Sequence, residues 1–344
     1  MLVGSAPPVV RAGRPWRDIV APYARPDAVR GLVQLLNTGG PFLALAGLML
    51  YGLNEDVWAA LGLAVPAAAF LVRLFAIQHD CGHGSFFRSP RANDRLGRVL
   101  GIFTLTPYAS WRKAHAMHHA TSGNLDRRGT GDITTLTVRE YLSCGVWRRF
   151  LYRVYRNPFV LFGVGPAFQF LIRHRIPRGH PLRDRQEWIS VLGTNAAIAG
   201  KTVTAALLVG LWPALLGYLA IVVIAAAIGV WLFYIQHQFE DTYWAGDANW
   251  DFHAAALEGS SFYDLPKFLH WLTGSIGFHH IHHLSSRIPN YRLRECFEQN
   301  PELHRVRRLG LWESLKCVRL ALWDEERGSL MSFGQMRRTL RRAA

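Results

Sequence analysis

Residues 32–77, LVQLLNTGGPFLALAGLMLYGLNEDVWAALGLAVPAAAFLVRLFAI, hold two apolar runs parted by a short acidic link. The runs, 32–53 and 57–77, are each close to the roughly 20 residues an α-helix needs to cross a hydrocarbon core about 30 Å thick. Asn54-Glu55-Asp56 leaves room only for a tight reversal, so the stretch reads as a helical hairpin. A second hairpin is expected at 189–211 and 213–235, joined by little more than Trp212-Pro213. Lys201 interrupts the third run; it would snorkel, face the protein interior, or mark a misplaced boundary. Two shorter apolar stretches, 99–108 and 159–172, fall short of a crossing and suit an interfacial or re-entrant placement.

Composition agrees with a membrane protein. Half of the 344 residues are hydrophobic and 18% are charged, against about 25% in an ordinary soluble domain. Cys81, Cys144, Cys296 and Cys317 form no CxxC pair, so neither a disulfide framework nor a thiolate zinc site is indicated. The N-terminal MLVGSAPPVVRAGRPWRD has no long apolar core or cleavage site, so no cleaved signal peptide is expected. Basic residues set the orientation. Residues 88–156 are dense in arginine and the tail ends RRTLRRAA, while neither hairpin tip carries a basic residue. The positive-inside rule then places the termini and the central segment in the cytoplasm, in a bacterial inner membrane. The expected architecture is an all-α integral membrane protein, a single domain over 1–344. Four transmembrane helices carry a cytosolic cap made of 79–188 and 236–344. The net charge of +15 points to anionic lipid or an acidic protein partner. Nucleic acid is not expected, because the arginines cluster where topology alone puts them.

The 15 histidines are unevenly spread. His79 and His83 lie in QHDCGHGSF, directly after the second run, and His237 lies in YIQHQFED, directly after the fourth. His115, His118 and His119 lie in WRKAHAMHHATSGN, and GFHHIHHL repeats that His-x-x-His-His spacing with His279, His282 and His283. Under the topology above, all of them fall on the cytoplasmic side. On a helix, positions i, i+3 and i+4 share a face, so each box is expected to aim its imidazoles at one spot. Neutral imidazole binds Zn, Cu, Fe or Ni. Eight or nine nitrogen ligands are too many for one tetrahedral zinc and suit two metals of higher coordination number. An isolated helical histidine pair is more often a surface or core pair; three boxes on one side of a four-span protein are not explained that way. His174, His180 and His304 lie in arginine-rich loop sequence, and His253 and His270 lack box spacing. His280 sits about 100° round the helix from His279, off the face of His282 and His283.

With these boxes the chain resembles the membrane fatty acid desaturases, most of all the bacterial and cyanobacterial omega-6 (delta-12) acyl-lipid branch. GNLDRRGTGDI, YIQHQFEDTYW and SSFYDLPKFLHWLTGSIGFHHIHHLSSRIPNYRL read like that branch, and the resemblance spans 75–293. It implies four transmembrane helices under a cytosolic cap with a di-iron centre. The ligands it implies are His79, His83, His115, His118, His119, His237, His279, His282 and His283. Of these, His237 stands outside the boxes, and His280 matches no ligand position. Some relatives carry an asparagine four residues before the equivalent of His237; here that residue is Phe233. The implied reaction is O2-dependent desaturation of an acyl chain, with two electrons from an acidic ferredoxin or cytochrome b5. The sequence itself has no Rossmann glycine pattern and no haem or iron–sulfur cysteine motif. Asp80, Asp132, Glu240 and Asp241 lie beside ligand segments and are candidates to orient imidazoles; helix capping or arginine pairing is the alternative. Phe75, Trp111, Trp271 and Phe278 are candidate tunnel-lining aromatics. A membrane hydroxylase or ketolase would keep the same metal site, and a histidine-rich metal transporter or sensor is the rival of another class. Transport would call for polar or ionisable residues along several spans, and Arg73 and Lys201 are the only charged residues in the four runs.

Overall fold

The computed structural model describes residues 14–343, so most of the N-terminal stretch read for a signal lies outside the described residues. Helices α1 (Ala28–Asn54) and α2 (Ala64–His83) form the first hairpin. Helices α3 (Pro90–Phe103) and α4 (Tyr108–Thr121) follow. Next come α5 (Arg185–Val209) and α6 (Leu211–His237), the second hairpin, and late in the chain α7 (His279–Leu284) and α8 (Asn290–Gln299). The two hairpins supply four helices long and apolar enough to cross a membrane. Local chemistry sets the ends. The Asp27 carboxylate caps α1 by accepting from the Val29 and Arg30 N–H groups. Gly84 ends α2 at φ +68°, a conformation that costs a Cβ-bearing residue more. Gly210, at φ +84°, is the whole link between α5 and α6.

Each spanning helix begins or ends beyond the apolar run that announced it. In particular α2 continues from 77 through His83, and α6 from 235 through His237. These histidines therefore sit on the spanning helices themselves and not on segments after them. Helix α2 packs against α1, α3 and α6 and is the central element, with half of its most apolar window buried. Helix α5 is peripheral: 6% of its window is buried, and Ile189, Leu192, Val203, Leu207 and Leu208 face outward. Apolar side chains exposed along such a helix face lipid. Lys201 turns inward, its Nζ 3.2 Å from the centroid of the Tyr218 ring and 5.6 Å from that of Phe103.

Neither short apolar stretch crosses. Residues 99–103 are the end of α3, which then turns through Thr104 into α4. Gln78 fixes this turn, accepting from the Thr104 hydroxyl at 2.6 Å. The 159–172 stretch forms a short wide-turned helix, Val160–Val164, and a further turn, Gly165–Leu171, packed on α6.

Among the described residues the remainder is mostly helical with five short strands: β1 (Leu136–Thr137), β2 (Phe262–Asp264), β3 (Arg308–Gly310), β4 (Leu320–Asp324) and β5 (Ser329–Ser332). β1 pairs parallel with β4 and β4 antiparallel with β5, while β2 pairs parallel with β3. These pieces tie the C-terminal region to the central one. The buried Arg156 guanidinium completes the tie, donating to Gln238 Oε1 at 2.8 Å and to the Leu320 carbonyl at 2.9 Å. It thereby anchors the chain one residue beyond His237.

Candidate metal centre

Helices α2, α4, α6 and α7 converge, and the imidazoles they carry gather at the meeting point in two groups. One group is His79, His83, His115, His119 and His282; the other is His118, His237, His279 and His283. Within each group the candidate donor nitrogens all lie within 4.8 Å of one another. The groups adjoin: His119 and His283, one from each, stack with ring centroids 4.2 Å apart. All nine histidines singled out by the sequence are thus brought together, and the others are not.

The expectation that each box serves one spot does not hold. At 100° per residue, i+4 lies about 40° to one side of i and i+3 about 60° to the other. Where two clusters lie side by side, that difference is enough to divide a box. His115 and His119 enter the first group while His118 enters the second; His279 and His283 enter the second while His282 enters the first. His237 is the residue that raises the second group from three imidazoles to four.

The donor set fits metal ions. Metal–imidazole bonds of about 2.0–2.1 Å place neighbouring ligand nitrogens about 3 Å apart. The Nε2 atoms of His115 and His119, and of His119 and His282, are 3.1 Å apart, and those of His237 and His279 are 3.0 Å apart. His83, His118 and His283 each bury Nε2 without a hydrogen-bond partner. An unpaired buried polar atom costs about 1–3 kcal/mol, so one in the first group and two in the second call for a ligand in each. Burial first, and neighbouring histidines second, hold His115, His119, His279, His282 and His283 well below the ordinary imidazole value. Metal ligation needs that neutral form.

Other groups fix the rings. Asp132 Oδ1 lies 2.5 Å from His118 Nδ1. Asp80 Oδ1 lies 3.3 Å from His79 Nδ1, while its Oδ2 accepts the Asn290 N–H of α8 at 2.6 Å. His237 Nδ1 donates to the Gly259 carbonyl at 3.0 Å. That backbone partner has no side-chain signature, and the sequence reading missed it. Glu240 and Asp241 are a correction. The chain leaves α6 after His237 and turns outward, both acids are exposed, and Asp241 pairs with Arg307 at 3.5 Å.

His280 lies apart. It is fully buried on the other side of α7, 5.9 Å from the Phe297 ring and 6.1 Å from that of Phe262. Burial pushes it down to about 3, with the Leu303 and Ser261 backbone acting in the opposite sense.

A cavity of about 610 Å³ opens onto the centre and is bordered by His79, His115 and His279. It lies within the range of about 300–1,000 Å³ typical of small-molecule sites. On α6 it reaches from Gln236 back to Val222, about 21 Å at 1.5 Å per residue. Phe75, Trp111 and Phe233 line it. Trp111 stacks on His115 at 4.6 Å, and the Phe233 ring is 5.1 Å from His118. Trp271 and Phe278 do not line it: Trp271 lies under the Arg73 guanidinium, and Phe278 stacks between His270 and Phe262.

A long, largely apolar cavity bordered by two histidine groups that could hold metal suits a chain-like substrate. The profile of the family described as Fatty acid desaturase matches residues 56–313. The chain belongs to that family. A Bacillus subtilis (strain 168) protein named Fatty acid desaturase is 46% identical over 314 residues, covering 91% of this chain and 89% of its own. An Anabaena variabilis sn-1 oleoyl-lipid 12-desaturase is 26% identical, covering 80% of each chain. A Synechocystis sn-1 acyl-lipid omega-3 desaturase (ferredoxin) is 31% identical over 65% of this chain and 62% of its own. The protein is accordingly a desaturase, an oxidoreductase with four apolar helices that fit an integral membrane protein.

Proposed function

We propose that this desaturase inserts a second double bond, of the delta-12 or omega-6 type, into a lipid-linked acyl chain. It would use two iron ions, O2 as co-substrate and two electrons from outside. The observation that carries the reading is the pair of adjoining histidine groups at one border of the long cavity. His79, His83, His115, His119 and His282 would hold one iron, and His118, His237, His279 and His283 the other. Iron supplies what side chains lack, the activation of O2 to remove hydrogens from unactivated methylene carbons. The protein's own part is positional. Asp80, Asp132 and the Gly259 carbonyl hold three imidazoles in orientation. Phe75, Trp111 and Phe233 wall the reacting end against water. Gly229 lines the cavity with open space where a side chain would stand, leaving room for the chain beyond.

The delta-12 position is supported by the cyanobacterial relatives named sn-1 oleoyl-lipid 12-desaturase, and the relative named for the omega-3 position is the alternative the product analysis distinguishes. We further propose that residues 1–344 act as one membrane unit with the centre and both termini on the cytoplasmic side of a bacterial inner membrane, as the distribution of arginine supports. The donor would be an acidic protein such as a ferredoxin or cytochrome b5; the +15 net charge and the ferredoxin in one relative's name support that choice. Expression in a host with monounsaturated lipids, followed by gas chromatography of the fatty acids, tests the reading. A new diene is expected; a hydroxylated chain would shift the conclusion to a hydroxylase, and an unchanged profile would overturn it.

A further inference from the structure

The residues bordering the cavity differ sharply in character. The lining includes His79, His115 and His279, apolar side chains of α2 and α6, and Arg173 and Arg178 of the segment before α5. That segment, 173–178, carries four groups able to bear positive charge, and two are already engaged. Arg175 donates to Asn195 Oδ1 at 2.8 Å and to the Leu105 carbonyl. His174 contacts the same carbonyl at 3.3 Å and Gln169 at 2.9 Å, and burial pushes it down to about 4. These bonds fasten the segment to the α3–α4 turn. They leave Arg173 and Arg178 on the cavity wall, and neither forms an ion pair among the described residues. Two acids lie nearby: Glu187 accepts the Arg178 backbone N–H at 3.0 Å, and Asp184 accepts the His180 N–H at 3.1 Å and pairs with Lys113 at 3.6 Å. Burial first, and the Arg173 charge second, pull Arg178 below its ordinary value, with Glu187 acting oppositely. Arg173 is half-buried and Arg178 exposed, so two guanidinium groups on one cavity wall are open to a shared anion.

We propose that Arg173 and Arg178 form an anion-binding end of the acyl cavity that takes the phosphate of the acyl carrier. The substrate is then a phosphate-bearing acyl ester, as opposed to an uncharged glycolipid or a free fatty acid. Guanidinium forks match phosphate oxygens in pairs, and two forks suit a phosphate better than a single carboxylate. The phosphate can belong to a phospholipid headgroup or to a soluble thioester carrier, since both present the same chemistry. The inference rests on the acyl-substrate reading above.

The test uses purified full-length, metal-loaded protein and three probes: dioleoylphosphatidylglycerol, dioleoylglycerol and oleoyl-coenzyme A. Binding is measured for the wild type, for R173Q/R178Q and for R173K/R178K, with desaturation followed separately. R173Q/R178Q is expected to weaken phosphatidylglycerol binding by about tenfold or more and to leave dioleoylglycerol binding unchanged, with the lysine pair restoring most of the loss. A loss confined to oleoyl-coenzyme A would keep the phosphate site and assign it to a soluble carrier. Equal phosphatidylglycerol and oleoyl-coenzyme A binding by wild type and R173Q/R178Q, or equal losses for charged and uncharged probes, would overturn the proposal. Arginine-dependent binding without any new double bond would instead refute the desaturation reading and leave the anion site standing.

Discussion

The second and third histidine boxes share a spacing but sit in opposite surroundings. The box at 115–119 rides on α4, an outer wall whose Ala116, Met117 and Ala120 are exposed. The box at 279–283 rides on α7, in which every residue is buried. Each nevertheless divides in the same manner: its i and i+4 members stay together and its i+3 member joins the opposite group. The two boxes are therefore complementary halves, one giving two imidazoles and one, the other giving one and two. The spacing joins two sites instead of filling one.

The largest expected effect follows from that division. His118→Ala reduces the four-histidine group to three, and desaturation should fall by more than about 100-fold while the protein still inserts in the membrane. His119→Ala leaves four imidazoles in the five-histidine group and should retain more bound metal than His118→Ala; the reverse order in metal analysis would break the division. The undisturbed protein should hold close to two irons per chain and little zinc, and one metal per chain would also break it. Asp132→Asn keeps every donor and removes the charge beside His118. Its expected cost is about 10–100-fold in metal affinity or activity, sharpened by rescue with Asp132→Glu. Gly229→Leu should leave metal content unchanged and shift the preferred acyl length, read by gas chromatography. The mildest of these is His280→Ala. It should keep most activity and lower Tm, since it empties core volume on the face of α7 turned away from the two histidine groups; a loss equal to that of His282→Ala would make His280 part of the centre.

Much of this was legible in the residues. Hydropathy located all four spans because lipid imposes a long apolar run that no other pressure mimics. It set the ends short, at 77 where the helix runs to His83 and at 235 where it runs to His237, because a helix continuing beyond the hydrocarbon loses its apolar signal without losing its hydrogen bonds. Spacing gathered the nine histidines but not their partition, which depends on how α4 and α7 lie across each other. Adjacency pointed to Asp80 and Asp132, whose carboxylates do lie against His79 and His118, whereas Glu240 and Asp241 are exposed where the backbone turns away. Strands of two to five residues carry no period to read, so β1–β5 were missed. Arg173 and Arg178 were passed over as loop arginine, since only the cavity beside them gives them a role.

The continuation of α2 and α6 through His83 and His237 has a mechanical consequence. His79, His83 and His237 are mounted on the same rods that span the lipid, with no joint between membrane and metal. A bilayer that grows thicker or thinner is met by helix tilt. Tilt at one end of a rigid rod is displacement at the other, so membrane thickness acts as a lever on the spacing of the two histidine groups.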